Sequence, residues 1–155
     1  MLKPTVIIFG IVVILIIGLF IYPFLMISAV YPPLREYEYP VSALKLQSII
    51  FETAQHDTSL LCNITDTTGA KGNFNYYMNI KLKKEGINYL FCINYNDKSK
   101  FWNNNQYSEL GLVGVFDSTN HYGGYQMQDK GVEKLIDIFD KNFISQIETK
   151  FANLK

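Results

Sequence analysis

Apolar residues follow three rhythms along this chain. From Thr5 to Tyr31 they run on almost unbroken, and TVIIFGIVVILIIGLFIYPFLMISAVY carries no charged side chain. From Asn73 to Tyr95 they alternate with polar residues, and from Val132 onward they return every third or fourth position. The rhythms predict, in turn, a membrane-spanning helix, a β-hairpin and an amphipathic helix.

The first run has the length and chemistry of a membrane span. At 1.5 Å per residue, Thr5 to Tyr22 covers about 27 Å as a helix, against a hydrocarbon thickness of about 30 Å. Fourteen Val, Ile, Leu and Phe residues between Val6 and Ile21 each favour insertion by about 0.3 to 0.6 kcal/mol, which outweighs Thr5, Gly10 and Gly18. The competing reading is a cleaved signal peptide, with Ile27-Ser28-Ala29 as the cut site after the basic Lys3. The apolar regions of such peptides are shorter than this run, so a retained anchor is expected. Pro23 ends or kinks the helix near the interface, where Tyr22 and Tyr31 have rings suited to lie against lipid. A four-residue leader favours the N-terminus inside and the remainder outside the cytoplasm, in the periplasm or beyond the cell. The expected domains are a tip and anchor at 1–31, a proline-rich spacer at 32–40 and an extracytoplasmic domain at 41–155.

Within that domain, Phe74, Tyr76, Met78, Ile80 and Leu82 form one face of a strand, and Ile87, Tyr89, Phe91, Ile93 and Tyr95 one face of the next. Reading Lys83-Lys84-Glu85-Gly86 as a four-residue turn sets Leu82 opposite Ile87 and Met78 opposite Phe91. Val41 to Gln55 reads as a helix capped by Ser42, with Ala43, Leu46, Ile49, Ile50 and Ala54 inward and His56-Asp57 at its end. Leu60 to Thr65 is a short strand, and Asp66 to Gly72 and Asp97 to Tyr107 read as loops, the second carrying Trp102. Leu110 to Phe116, apolar on both faces, reads as an inner strand. The last helix starts near an Asp129 cap and buries Val132, Ile136, Phe139, Phe143, Ile147, Phe151 and Leu154. The expected fold class is α+β: an antiparallel sheet of four or five strands, packed by the C-terminal amphipathic helix and the shorter N-terminal one.

Charge removes some function classes. Fourteen basic residues face fourteen acidic ones in the whole chain, so no basic field exists to hold nucleic acid. Cys62 and Cys92 are the only cysteines. A disulfide closing their loop of about 30 residues would add about 3.5 kcal/mol by chain entropy; two buried thiols are the alternative. Asn63-Ile64-Thr65 matches a glycosylation acceptor.

Candidate chemistry is sparse. Asp117, Ser118 and His121 combine a carboxylate, a hydroxyl and an imidazole, the components of nucleophilic hydrolysis, but they lack the strained elbow that presents a catalytic serine. The two histidines, His56 and His121, sit in no metal-ligand spacing, and no cofactor motif is present. Tyr122 and Tyr125 around Gly123-Gly124, with Trp102, are better suited to contact, since aromatic rings give broad surface at low entropic cost. The expected function is a non-catalytic, membrane-anchored module that binds another envelope or secreted protein, for example as an immunity or inhibitor protein. A small hydrolase using Asp117 and His121, or an accessory subunit of a membrane complex, are the alternatives. A retained anchor leaves the whole chain in the membrane fraction, released by detergent and not by alkaline wash. A soluble polypeptide beginning near Val30 would overturn it.

Overall fold

The computed structural model describes residues 32–70, 73–100 and 103–153, which belong to a compact unit beginning at Pro32. The predicted span Thr5–Tyr31 lies outside the described residues, as does Trp102. Among the described residues, no helix is long and apolar enough to cross a membrane. In order, the elements are β1 (Arg35–Tyr39), α1 (Ala43–His56), β2 (Leu60–Ala70), β3 (Asn73–Lys84), β4 (Ile87–Lys100), β5 (Asn103–Asp117) and β6 (Tyr122–Gly124). A C-terminal helix follows: α2 (Val132–Phe139), a π-helical segment at Asp140–Ile144, and α3 (Ser145–Ala152). The strands make one antiparallel sheet in the order β1-β5-β4-β3-β2, with β6 beside β5. The class is α+β, with six strands where four or five were expected.

The β3–β4 hairpin sets the frame. Its turn is two residues long, not four, because Glu85 and Gly86 both take positive φ, 52° and 79°. That geometry matches the right-handed twist of the strands. Leu82 therefore faces Tyr89, Ile80 faces Phe91 and Met78 faces Ile93. The expected register was two residues out. A shift of two leaves every side chain on its expected face, since the strand period is two.

Three segments expected to be irregular are strand. The proline-rich stretch expected as a spacer holds β1, whose Tyr37 and Tyr39 turn inward while Arg35, Glu36 and Glu38 are exposed. β2 continues through Asp66 to Ala70 after a bulge at Thr65, and β4 and β5 extend into the expected polar loop. A second bulge, at Val113, explains why β5 looks apolar on both faces: Leu110, Leu112 and Val115 all reach the core because one extra residue intervenes. The bulge also divides the outer edge of β5, with β1 pairing to Ser108–Leu112 and β6 to Val115–Asp117.

Both helices cover the same face of the sheet. Ser42 caps α1 as expected, its hydroxyl accepting from the Lys45 N–H at 3.3 Å, while the Asp97 carboxylate accepts from the Ala43 N–H at 2.7 Å. Leu46, Ile49 and Ile50 of α1 share one core with Ile80, Phe91, Ile93 and Leu112 of the sheet and with Leu135, Ile136, Phe139, Phe143 and Ile147 of the C-terminal helix. Phe139 lies at its centre, with ring centroids 5.0 Å from Phe91 and 5.1 Å from Phe143. The next residue, Asp140, opens the π-helical segment and accepts hydrogen bonds from Arg35 and Tyr37, fastening the helix to β1. Around that segment Asn142 and Ser145 donate to carbonyls four residues back, contacts that bend a helix.

Phe139→Ala is expected to lower unfolding stability by about 3–5 kcal/mol in urea titration, because the three packed rings leave a cavity that cannot close. Glu85→Asn is expected to raise it by up to about 1 kcal/mol in the same titration, since asparagine tolerates the left-handed conformation at less cost.

Candidate functional site: the open face of the sheet

Alternation that sends one set of side chains to the core sends the other to the uncovered face. Row by row across the strands, that face presents Leu61–Lys81–Leu90–Phe116, then Asn63–Asn79–Cys92–Gly114, then Asp66–Tyr77–Asn94–Gly111–Glu36. Asn96 donates to Asn75 at 2.6 Å in the row beyond. The surface is therefore a strip of amides with a tyrosine in their midst, bordered at one end by aliphatic side chains and lysines and at the other by Asp66, Glu36, Glu38 and the Glu109–Lys98 ion pair. Leu61 is 61% exposed.

The loop after β6 supplies a ring to this face. Gly114 has no side chain, so the Tyr125 ring lies against its backbone; a Cβ there would stand 2.8 Å from the ring. Tyr125 also meets Phe116 edge-on, centroids 5.1 Å apart. The HYGGYQ segment is held firmly. The Asp129 carboxylate accepts from the N–H groups of Tyr125 and Gln126, at 3.1 and 3.0 Å, and Gly123 N–H donates to the Lys130 carbonyl. Asp129 was expected to cap the last helix, which begins instead after Gly131, a glycine with φ of 83°. Lys130 Nζ stands 4.3 Å from the centre of the Tyr122 ring. Tyr122 and Tyr125 are both exposed, at 42% and 47%.

Asp117 ends β5, and Ser118 and His121 fall in the turn that leads to β6. One Asp117 oxygen accepts from the N–H groups of Thr119 and Asn120, and the other from the Asn120 side chain, all within 2.9 Å. Burial is the largest influence on this carboxyl and raises its pKa. The Asn120 and Thr119 hydrogen bonds, with Lys134 nearby, outweigh it and hold the group below its ordinary range. Ser118 N–H donates to the Asn88 carbonyl, tying the turn to β4. His121 is exposed, with φ of 57°. Among the described residues it has no hydrogen bond to Asp117 or Ser118, so the carboxylate organises the turn and does not orient the imidazole.

Two shallow depressions of about 580 and 470 Å³ meet here, sharing Leu90 and Ser118. The larger extends towards Leu60, Leu61 and the lysines at 81 and 83; the smaller reaches His121 and Tyr122. Among the described residues, no three His, Cys, Asp or Glu side chains converge to hold a metal ion.

The two cysteines are free thiols. Cys62 pairs with Ile80 on the core face, Cys92 pairs with Asn79 on the open face, and β3 runs between them. Opposite faces two strands apart exclude the bridge. Burial pushes the Cys62 thiol up to about 11 and raises that of Cys92, which leaves both protonated and unreactive at neutral pH.

No protein-family model matches the chain, and neither the curated proteins nor the solved structures compared with it include a match.

Asp117→Ala is expected to cost about 1–3 kcal/mol at pH 7, the range for leaving the turn's N–H groups without their acceptor. The folded pKa lies below the unfolded one, so this stabilisation is present at neutral pH and is lost as pH falls through the folded value. Urea titrations should accordingly show the gap between variant and wild type narrowing below about pH 4.

Proposed function

We propose that this chain is a non-catalytic binding module, held at a membrane by Thr5–Tyr31 outside the cytoplasm, which meets another envelope or secreted protein through the open face of its sheet. The observation that carries the reading is the contrast between the two faces. One is sealed by α1 and the C-terminal helix; the other leaves amide and tyrosine side chains in rows, with Tyr125 held against Gly114 by the grip of Asp129 on its loop. Ordered rings and amides are suited to protein contact, since little side-chain freedom remains to be lost on binding. An inhibitor or immunity protein is one form of such a module.

The hydrolase alternative requires a carboxylate available to His121, and Asp117 has both oxygens engaged within its own turn. That engagement supports binding over catalysis.

Membranes carrying the full chain with a C-terminal tag are expected to yield a co-purifying protein after mild detergent extraction. Its recovery should drop at least tenfold when Tyr125 is replaced by alanine while the melting curve is unchanged. A wild-type chain recovered alone, as a monomer, would overturn the reading.

A further inference from the structure

β2 ends the sheet, and among the described residues its outer side has no neighbouring strand. In antiparallel pairing, alternate residues turn their N–H and C=O groups away from the partner strand. Lys83 N–H donates to the Ser59 carbonyl, which fixes the phase: Ser59, Leu61 and Asn63 bond inward, while Cys62 and Ile64 direct their backbone groups to the open edge. Neither outward N–H is used elsewhere among the described residues. An edge of this kind recognises one chemistry above all, an extended backbone.

Two further features narrow the occupant. At the start of the edge lies the larger depression, walled by Leu60, Leu61, Leu82 and Leu90 and bordered by Lys81 and Lys83. Both lysines are exposed, and among the described residues neither has a carboxylate partner. Lys81 stands beside Leu61 on the open face, whereas Cys62 and Ile64 belong to the other face, where Ile64 is 37% exposed. A strand laid along this edge would set its open-face side chains beside Leu61 and Asn63, where acidic ones can reach across to the lysines one strand further in, and apolar ones beside Ile64 on the other face.

We propose that the edge from Leu60 to Ile64 accepts an extended segment of the partner protein, with alternating acidic and apolar residues, as an added strand of the sheet. This deepens the binding reading above and rests on it. The bulge at Thr65 sets the limit of the docking edge, because it breaks the alternation beyond Ile64.

The test uses the full chain in detergent micelles and two synthetic hexapeptides, one alternating valine with glutamate and one alternating valine with lysine. The glutamate peptide is expected to slow amide hydrogen exchange at Cys62 and Ile64 at least tenfold and to bind at least fivefold more tightly than the lysine peptide. Ile64→Pro removes an outward N–H, a substitution that edge strands accept, and should abolish the effect. Lys81→Glu with Lys83→Glu should reverse the peptide preference, and tests the idea even if the proline variant fails to fold. Unchanged exchange at Cys62 and Ile64, peptide-induced shifts confined to Tyr122 and Tyr125, or self-association through β2 on sedimentation would each overturn the proposal. In the membrane pull-down, an Ile64→Pro chain that folds yet retains the partner sinks the edge alone; a wild-type chain without any partner sinks the binding reading itself.

Discussion

Phe139 stands where the last helix crosses the middle of the sheet, and most of the architecture is arranged to keep it there. Its ring meets Phe91 from β4, Phe143 from the next turn of its own helix and, at 6.2 Å, Tyr37 from β1. Sequence positions more than a hundred residues apart are thereby joined in one contact. The hydrogen bonds from Arg35 and Tyr37 to Asp140 lie immediately beyond it. Burial and the Asp140 carboxylate raise the Tyr37 pKa, keeping that hydroxyl a donor. Apolar packing holds the helix down, and the charged pair fixes how far along β1 it lies.

The same sheet meets opposite demands on its two faces. Helices on one side require a continuous apolar surface, which β3, β4 and β5 supply at every second residue. On the other side Asn63, Asn75, Asn79, Asn94 and Asn96 provide neutral hydrogen-bonding groups, with the carboxylates of Asp66, Glu36, Glu38 and Glu109 in the rows towards one end. The Val113 bulge links these demands: it keeps Val115 in the core and divides the edge of β5 between β1 and β6. That division places the β6 loop, and with it Tyr125, against the bare backbone of Gly114.

Where burial dictated residue type, the chain was readable in advance. The inward set Met78, Ile80, Leu82, Phe91, Ile93 and Tyr95 was evident, as were the faces of both helices and the Ser42 cap. What escaped was decided by backbone geometry. Glu85 carries no mark of a left-handed turn, so the hairpin register was misjudged by two residues. Asp66 to Ala70 and Asp97 to Lys100 are strands whose cohesion comes from main-chain bonds to neighbours, and such bonds leave no apolar pattern. In REYEY the alternation of Tyr37 and Tyr39 with acidic residues was present, but the surrounding prolines pointed to a spacer. At the candidate site, exposed Tyr122 and Tyr125 were legible from the glycines between them. The hold of Asp129 on their loop, and the open edge of β2, depend on contacts between segments that no local spacing reveals.

The position of the sulfurs has a bearing on how the domain reaches its native state. Cys62 and Cys92 look away from each other across an intervening strand, so the fold contains no covalent cross-link waiting to be formed. Its descent to the native state needs neither an oxidant nor an isomerase, and glutathione has nothing in it to break. The cohesion of the domain thus owes nothing to a disulfide and is expected to be the same in reducing and in oxidising buffer.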